Sequence, residues 1–121
     1  MIERFEDLIC WQKARGLANS IYALTKRDKF SKDFGLLNQI RKAAGSVMHN
    51  IAEGYDAGSK AEFMRFLKIA RRSASEIQSQ LYLALDCGYV SIDDQRKLNN
   101  DAIEIKKLIN GLITHLRRRS K

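Results

Sequence analysis

A chain of 121 residues that is 45% hydrophobic and has no proline is long enough to bury a helical core as one domain, residues 1–121, without a forced helix break. Its 22 Lys and Arg against 14 Asp and Glu leave a formal charge of +8, which favours anionic partners, nucleic acid before acidic membrane. Cys10 and Cys87 are too far apart for a disulfide framework or a paired metal motif, no apolar run approaches the ~18 residues of a membrane span, and the opening MIERFEDL is too charged for a signal peptide, so a reducing cytoplasmic setting is expected.

In chain order, a first helix is predicted from an N-cap at Asp7 to about Lys26, with Ala14, Leu17, Ala18, Ile21, Leu24 and Thr25 as its core stripe. Leu8, Trp11 and Tyr22 lie on an adjoining stripe. Large aromatics beside a core stripe either widen that core or mark contact with a second subunit, where Trp and Tyr are enriched. A charged link, KRDKFSK, follows, in which Phe30 is expected to dock back onto the bundle.

The second helix is predicted from about Lys32 to Gly54, with Gly54 as a left-handed C-cap. Leu36, Ile40, Ala43, Ala44, Val47 and Ile51 share its core face, while Gln39, Lys42, Ser46, Asn50 and Glu53 share the neighbouring one. Such a stripe of short amides and hydroxyls reads either as an assorted polar side or as a seam bonded to another helix. Ser59 and Glu62 fit a capping box opening a third helix that continues to about Cys87. Its apolar seam is Phe63, Leu67, Ala70, Ala74, Ile77, Leu81 and Ala84, and Ser73, Glu76 and Gln80 form the row expected to meet the polar stripe. In antiparallel order that pairs Asn50 or Glu53 with the Ser73 region and Ser46 with the Glu76–Gln80 region.

Residues 60–72 hold Lys60, Arg65, Lys68, Arg71 and Arg72 against a single carboxylate, Glu62. A purely solvated helix face would interleave Glu with Lys. Ser91 caps a fourth helix to about Arg117 on Leu98, Ala102, Ile105, Ile109, Leu112 and Leu116. The helix macrodipole gives Arg117, Arg118 and Arg119 a structural reason to stand at its end.

Four long helices with short links predict an all-α, up-down-up-down antiparallel four-helix bundle. That topology brings the end of the second helix, the start of the third and the end of the fourth to one basic pole, where Lys60, Arg65, Lys68, Arg71, Arg72, Arg117, Arg118 and Arg119 are the candidate nucleic-acid contacts. The opposite pole mixes Lys26, Arg27, Lys29 and Lys32 with Asp28, Asp33, Asp86, Asp93 and Asp94 and is close to neutral.

The run Gly35-Leu36, Gln39-Ile40-Arg41-Lys42-Ala43-Ala44, Ser46 and Asn50-Ile51-Ala52-Glu53-Gly54 resembles the bacterial intervening-sequence, or four-helix bundle, proteins. Phe5-Glu6-Asp7-Leu8 with Trp11-Gln12-Lys13-Ala14 is similar to that family's opening. Glu62-Phe63, Phe66-Leu67, Ile69-Ala70, Ser73, Glu76 and Gln80-Leu81 are similar to its third helix. Three positions depart from the pattern: Ser31 where many relatives have Pro, Lys42 for a second Arg, and Met48 for a smaller residue. The resemblance implies a barrel-shaped homopentameric ring, with Leu8, Trp11 and Tyr22 then read as a subunit seam. It also implies a tie to intervening sequences of large-subunit ribosomal RNA genes and a distant similarity to accessory proteins of diversity-generating retroelements, which bind a reverse transcriptase and nucleic acid.

Glu53 and Glu76, with Asn50, Ser46 and Ser73 about them, lack a nucleophile–His pair, and no phosphate loop or cofactor motif accompanies them. The expectation is therefore a protein that is not an enzyme and carries no metal or cofactor. Its basic pole would hold phosphates, structured RNA by resemblance. The alternative is a scaffold whose ring holds a partner protein without touching nucleic acid.

Overall fold

The computed structural model describes residues 1–119, without the side chain of Arg119. A 3-10 turn at Phe5–Asp7 leads into α1 (Ile9–Thr25), α2 (Asp28–Lys32), α3 (Phe34–Asp56), α4 (Lys60–Asp86) and α5 (Ile92–Arg119). Cross-links between the long helices fix their directions. Arg41 reaches back from α3 to Thr25 of α1, Ser46 of α3 meets Ser73 of α4, and Arg71 of α4 meets Asn110 of α5. Lys13 of α1 pairs with Glu104 of α5, closing an antiparallel bundle.

The core follows the predicted stripes. Ile21, Ile40, Ile51, Ile77, Ile105 and Ile109 have no exposed surface, and alanines such as Ala14, Ala44, Ala70, Ala74 and Ala102 let the facing helices interdigitate. Phe63 and Leu112 are only half-buried, and Ile113 takes a core place beside Leu116. Phe30 on α2 is fully buried and lies 5.3 Å from the Tyr89 ring, so the charged link does dock onto the bundle.

The helix ends explain several departures from expectation. Asp33, with ψ 82°, stops α2, and its Oδ1 accepts from Leu36 N at 3.1 Å to cap α3. Its other oxygen accepts from the Tyr89 hydroxyl at 2.9 Å. Ser59 caps α4 as expected, but the Glu62 carboxylate turns to Arg65 rather than completing the box. At the end of α4, Gly88 at φ +76° allows the bonds Gly88 N to Leu85 O and Tyr89 N to Ala84 O, a Schellman closure. Asp7 does not cap α1. Leu8 occupies that position without a side-chain bond, while Asp7 accepts from Glu3 N.

Gly54 is not a C-cap. The helix continues to Asp56, the cap is Ala57, and the left-handed glycine is Gly58 at φ +87°. Gly54 is buried because α4 crosses directly over it. A Cβ there would lie 2.8 Å from Phe66 Cβ and 3.1 Å from Phe63 Cδ1. This close approach sets the α3/α4 register, and Ser46 Oγ meets Ser73 Oγ at 2.8 Å. The predicted pairing of Ser46 with the Glu76–Gln80 region is therefore out by about one turn. Asn50 donates to the Ser46 carbonyl at 2.8 Å and to Ser46 Oγ at 3.0 Å, bracing the pair from its own helix.

Two variants test this packing. Gly54→Ala gains about 1 kcal/mol of helix propensity but drives a methyl into Phe66, for an expected net loss of about 1–2 kcal/mol in denaturant unfolding. A stabilised variant would show that the helices separate freely. Asn50→Leu removes the brace from a half-buried hydroxyl pair and should cost about 1 kcal/mol; an unchanged unfolding midpoint would make the brace incidental.

Candidate nucleic-acid interface

Three of the cations of α4 border a hollow on its α5 side. Lys68, Arg71, Arg72 and Ser75 from α4 and Lys106 from α5 line a shallow hollow of about 350 Å³. Lys68 and Arg72 are exposed, while Arg71 and Lys106 are half-buried. Arg71 Nη1 donates to Asn110 Oδ1 at 2.7 Å, and Lys106 Nζ donates to Gln78 Oε1 at 2.9 Å. Gln78 is held in turn, its Nε2 donating to Asn99 Oδ1 at 3.0 Å. Among the described residues, none of these four cations meets a carboxylate. Neutral amides orient the charge of Arg71 and Lys106, and a carboxylate cancels none of the four.

The other predicted contacts fare differently. Arg65 is engaged by Glu62 at 2.7 Å and lies over the Phe66 ring at 4.4 Å, so its charge is partly answered within its own helix. Lys60, Arg117 and Arg118 are exposed at the end of the bundle shared by the start of α4 and the end of α5. Arg119's side chain lies outside the described residues. At the opposite pole Arg27 pairs with Asp94 at 2.7 Å. Lys106 was missed because pairing across α4 and α5 depends on how α5 is rotated about its axis.

The polar stripe lines a second opening of about 390 Å³ between α3 and α4, bounded by Gln39, Lys42, Ser46, Ser73, Glu76 and Gln80. Glu53 is exposed and takes no part in it, because the Gly54 crossing carries that turn past the opening. Gln80 Oε1 is buried there without a hydrogen-bond partner among the described residues. Glu76 stands at the opening while Glu53 does not, so the two do not form an acid/base pair.

The three residues of the predicted seam have separate fates. Leu8 is 7% exposed and belongs to its own chain's core, since the 3-10 turn at Phe5–Asp7 brings it inward. Trp11 is half-buried, its ring 5.2 Å from Phe5 and beneath the Arg15 guanidinium at 5.8 Å. Tyr22 is exposed, with Arg41 4.7 Å from its ring centre. A larger apolar hollow, about 450 Å³, opens nearby between Ile2, Leu8 and Ile9 on one side and Leu108, Gly111 and Leu112 on the other. Burial pushes the Cys10 thiol at its edge up to about 11, which suits a core side chain and not a nucleophile. Among the described residues no group of three or more His, Cys, Asp and Glu is placed to hold a metal, and no helix is long and apolar enough to cross a membrane.

A comparison with curated proteins gives no match. Among solved structures, a protein of unknown function from the S23 ribosomal protein family of Bacteroides thetaiotaomicron superposes with a TM-score of 0.79 at 30% identity, covering 87% of this chain and 98% of that one. The family described as 23S rRNA-intervening sequence protein matches residues 6–111, from the 3-10 turn to the last turns of α5. The bundle, its small-residue crossing and its polar stripe are thus those of a member of the 23S rRNA-intervening sequence protein family, to which this chain belongs.

Proposed function

We propose that this protein is a non-catalytic, oligomeric adaptor that binds nucleic acid, structured RNA in the first instance, through phosphate contacts on its α4/α5 face. The observation that carries the reading is the hollow in which Lys68, Arg71, Arg72 and Lys106 converge without a carboxylate among them. Like charges so close repel one another. Although Arg71 and Lys106 each make one polar bond between α4 and α5, that bonding does not call for four converging cations, so the arrangement as a whole gains little for folding. It becomes favourable when an anion enters and its counterions are released. Exposed Lys60, Arg117 and Arg118 extend the cationic surface towards the end of the bundle. The family's connection with intervening sequences of ribosomal RNA supports RNA over DNA. The site offers no aromatic platform, which favours recognition of shape and backbone over base identity.

The test is a titration of one structured RNA at two salt concentrations. Replacing Lys68, Arg71, Arg72 and Lys106 with Gln should lower the melting temperature only modestly, because the two bonds lost between α4 and α5 are offset by relief of the repulsion among the cations. It should weaken binding and flatten the salt dependence by ~0.7–0.9 log units of slope per lost contact. Lys29→Glu at the far pole should do much less. Equal affinities for all three proteins would remove the basis for the reading.

The apolar hollow supports self-association, read here as the homopentameric ring of the family resemblance, and would serve equally a scaffold that holds a partner protein. Ile9 is 59% and Ile2 46% exposed beside it, more apolar surface than Trp11 offers. Ile9→Glu should lower the mass seen by light scattering while circular dichroism keeps its helical signal. Trp11→Ala, which also uncovers Phe5, should lower the melting temperature. A wild-type protein already of monomer mass would sink the ring.

A further inference from the structure

We infer that the α4/α5 hollow is a preorganised seat for one phosphate group of an RNA chain, in which Asn110 and Gln78 act as positioning residues. This rests on the nucleic-acid reading above and makes it more specific. A long cationic side chain on a helix surface ordinarily samples many rotamers, and ordering it opposes binding. Here the two inner cations are already held. Asn110 fixes one arm of the Arg71 guanidinium at 2.7 Å, and Gln78, anchored by Asn99, fixes the Lys106 ammonium at 2.9 Å.

The type of acceptor matters more than the bond. A carboxylate at position 110 or 78 would also hold the cation but would answer its charge, as Glu62 does for Arg65 and Asp94 for Arg27. An amide oxygen uses one N–H and leaves the rest. Arg71 keeps donors beyond Nη1, and the Lys106 ammonium keeps two of its three. Lys68 and Arg72 stand at the exposed rim with no partner among the described residues, free to close over an entering oxyanion. Ser75 also lines the hollow, its hydroxyl making only a long contact of 3.4 Å back to the Arg71 carbonyl. The chemistry that fits is a compact, multiply acceptor-bearing anion, which a phosphate group supplies either within the chain or at its end.

Asn110→Asp separates this from a diffuse basic surface. It converts the brace into a salt bridge, so the melting temperature should hold or rise while RNA affinity falls about tenfold and the salt slope drops by about one contact. Gln78→Glu should lower RNA affinity likewise at Lys106, but without the gain in melting temperature, because the carboxylate cannot donate to Asn99 Oδ1 as the Gln78 amide does. Two forms of the same structured RNA, with a 5′-phosphate and with a 5′-hydroxyl, identify the source. Weakening of both assigns the seat to an internal phosphodiester, and weakening of the phosphorylated form alone assigns it to a terminal monoester. In parallel, inorganic pyrophosphate should raise the melting temperature of the wild type but not of Asn110→Asp. Wild-type RNA binding that neither variant alters would overturn the seat while leaving the broader cationic surface in place. A wild type that neither binds RNA nor responds to pyrophosphate would overturn both.

Discussion

Where α3 and α4 cross, there is no room for a side chain on Gly54. Phe63 and Phe66 lie over its bare Cα, and this contact fixes how far apart the two helices stand and which residues along them meet. Ser46 then falls opposite Ser73. Beyond that pair the floor is made of small residues, Ala43 and the two serines, and the longer polar side chains Gln39, Lys42, Glu76 and Gln80 form the sides of the opening. The placement of α4 also decides what its other face presents. With the Phe63/Phe66 side turned onto α3, Lys68, Arg71 and Arg72 are carried round to the α5 side. One glycine thus links the polar seam on one flank of α4 to the cationic hollow on the other.

Most of the bundle was legible in the sequence because helical periodicity is set within each segment. The stripes of α1 and α3 are buried residue for residue as predicted, and the Ser59 and Ser91 caps stand where expected. What escaped depends on two segments at once. A glycine near a helix end reads equally as a cap or as a crossing point, and only the aromatic rings of α4 decide between them for Gly54. The one-turn shift of the polar seam follows from that same ambiguity. Leu8 belonged to the core because a 3-10 turn, which has no strong sequence signature, folds the chain before α1. The cations of α4 were legible from their sign, whereas the roles of Gln78 on α4 and of Lys106 and Asn110 on α5 became visible only when the two helices were laid together.

The structure distributes its charge in two ways. Exposed pairs such as Arg27–Asp94 and Lys13–Glu104 tie neighbouring elements together but each contributes little in water. At the α4/α5 hollow the cations are given direction by amides and keep their long-range field. An amide brace costs some stability relative to a carboxylate, through the repulsion it leaves among like charges. That difference is the physical trace of a surface arranged for something outside the chain.

Asp33 binds together parts of the molecule that the chain keeps apart. One carboxylate oxygen starts α3 and the other receives the hydroxyl of Tyr89, just past the turn between α4 and α5, while the Tyr89 ring rests on buried Phe30. The hydrogen bond to Asp33 raises the tyrosine's pKa above its usual value, since an ionised phenolate would lose its donor role, and desolvation and the like charge of the carboxylate act in the same direction. Helix ends ordinarily fray independently of one another. With α2, the first turn of α3 and the α4–α5 turn sharing one knot, opening any of them exposes the others. Amide hydrogens at these three junctions would therefore exchange with solvent as a single cooperative unit, and that pole would loosen in one step, not one helix end at a time.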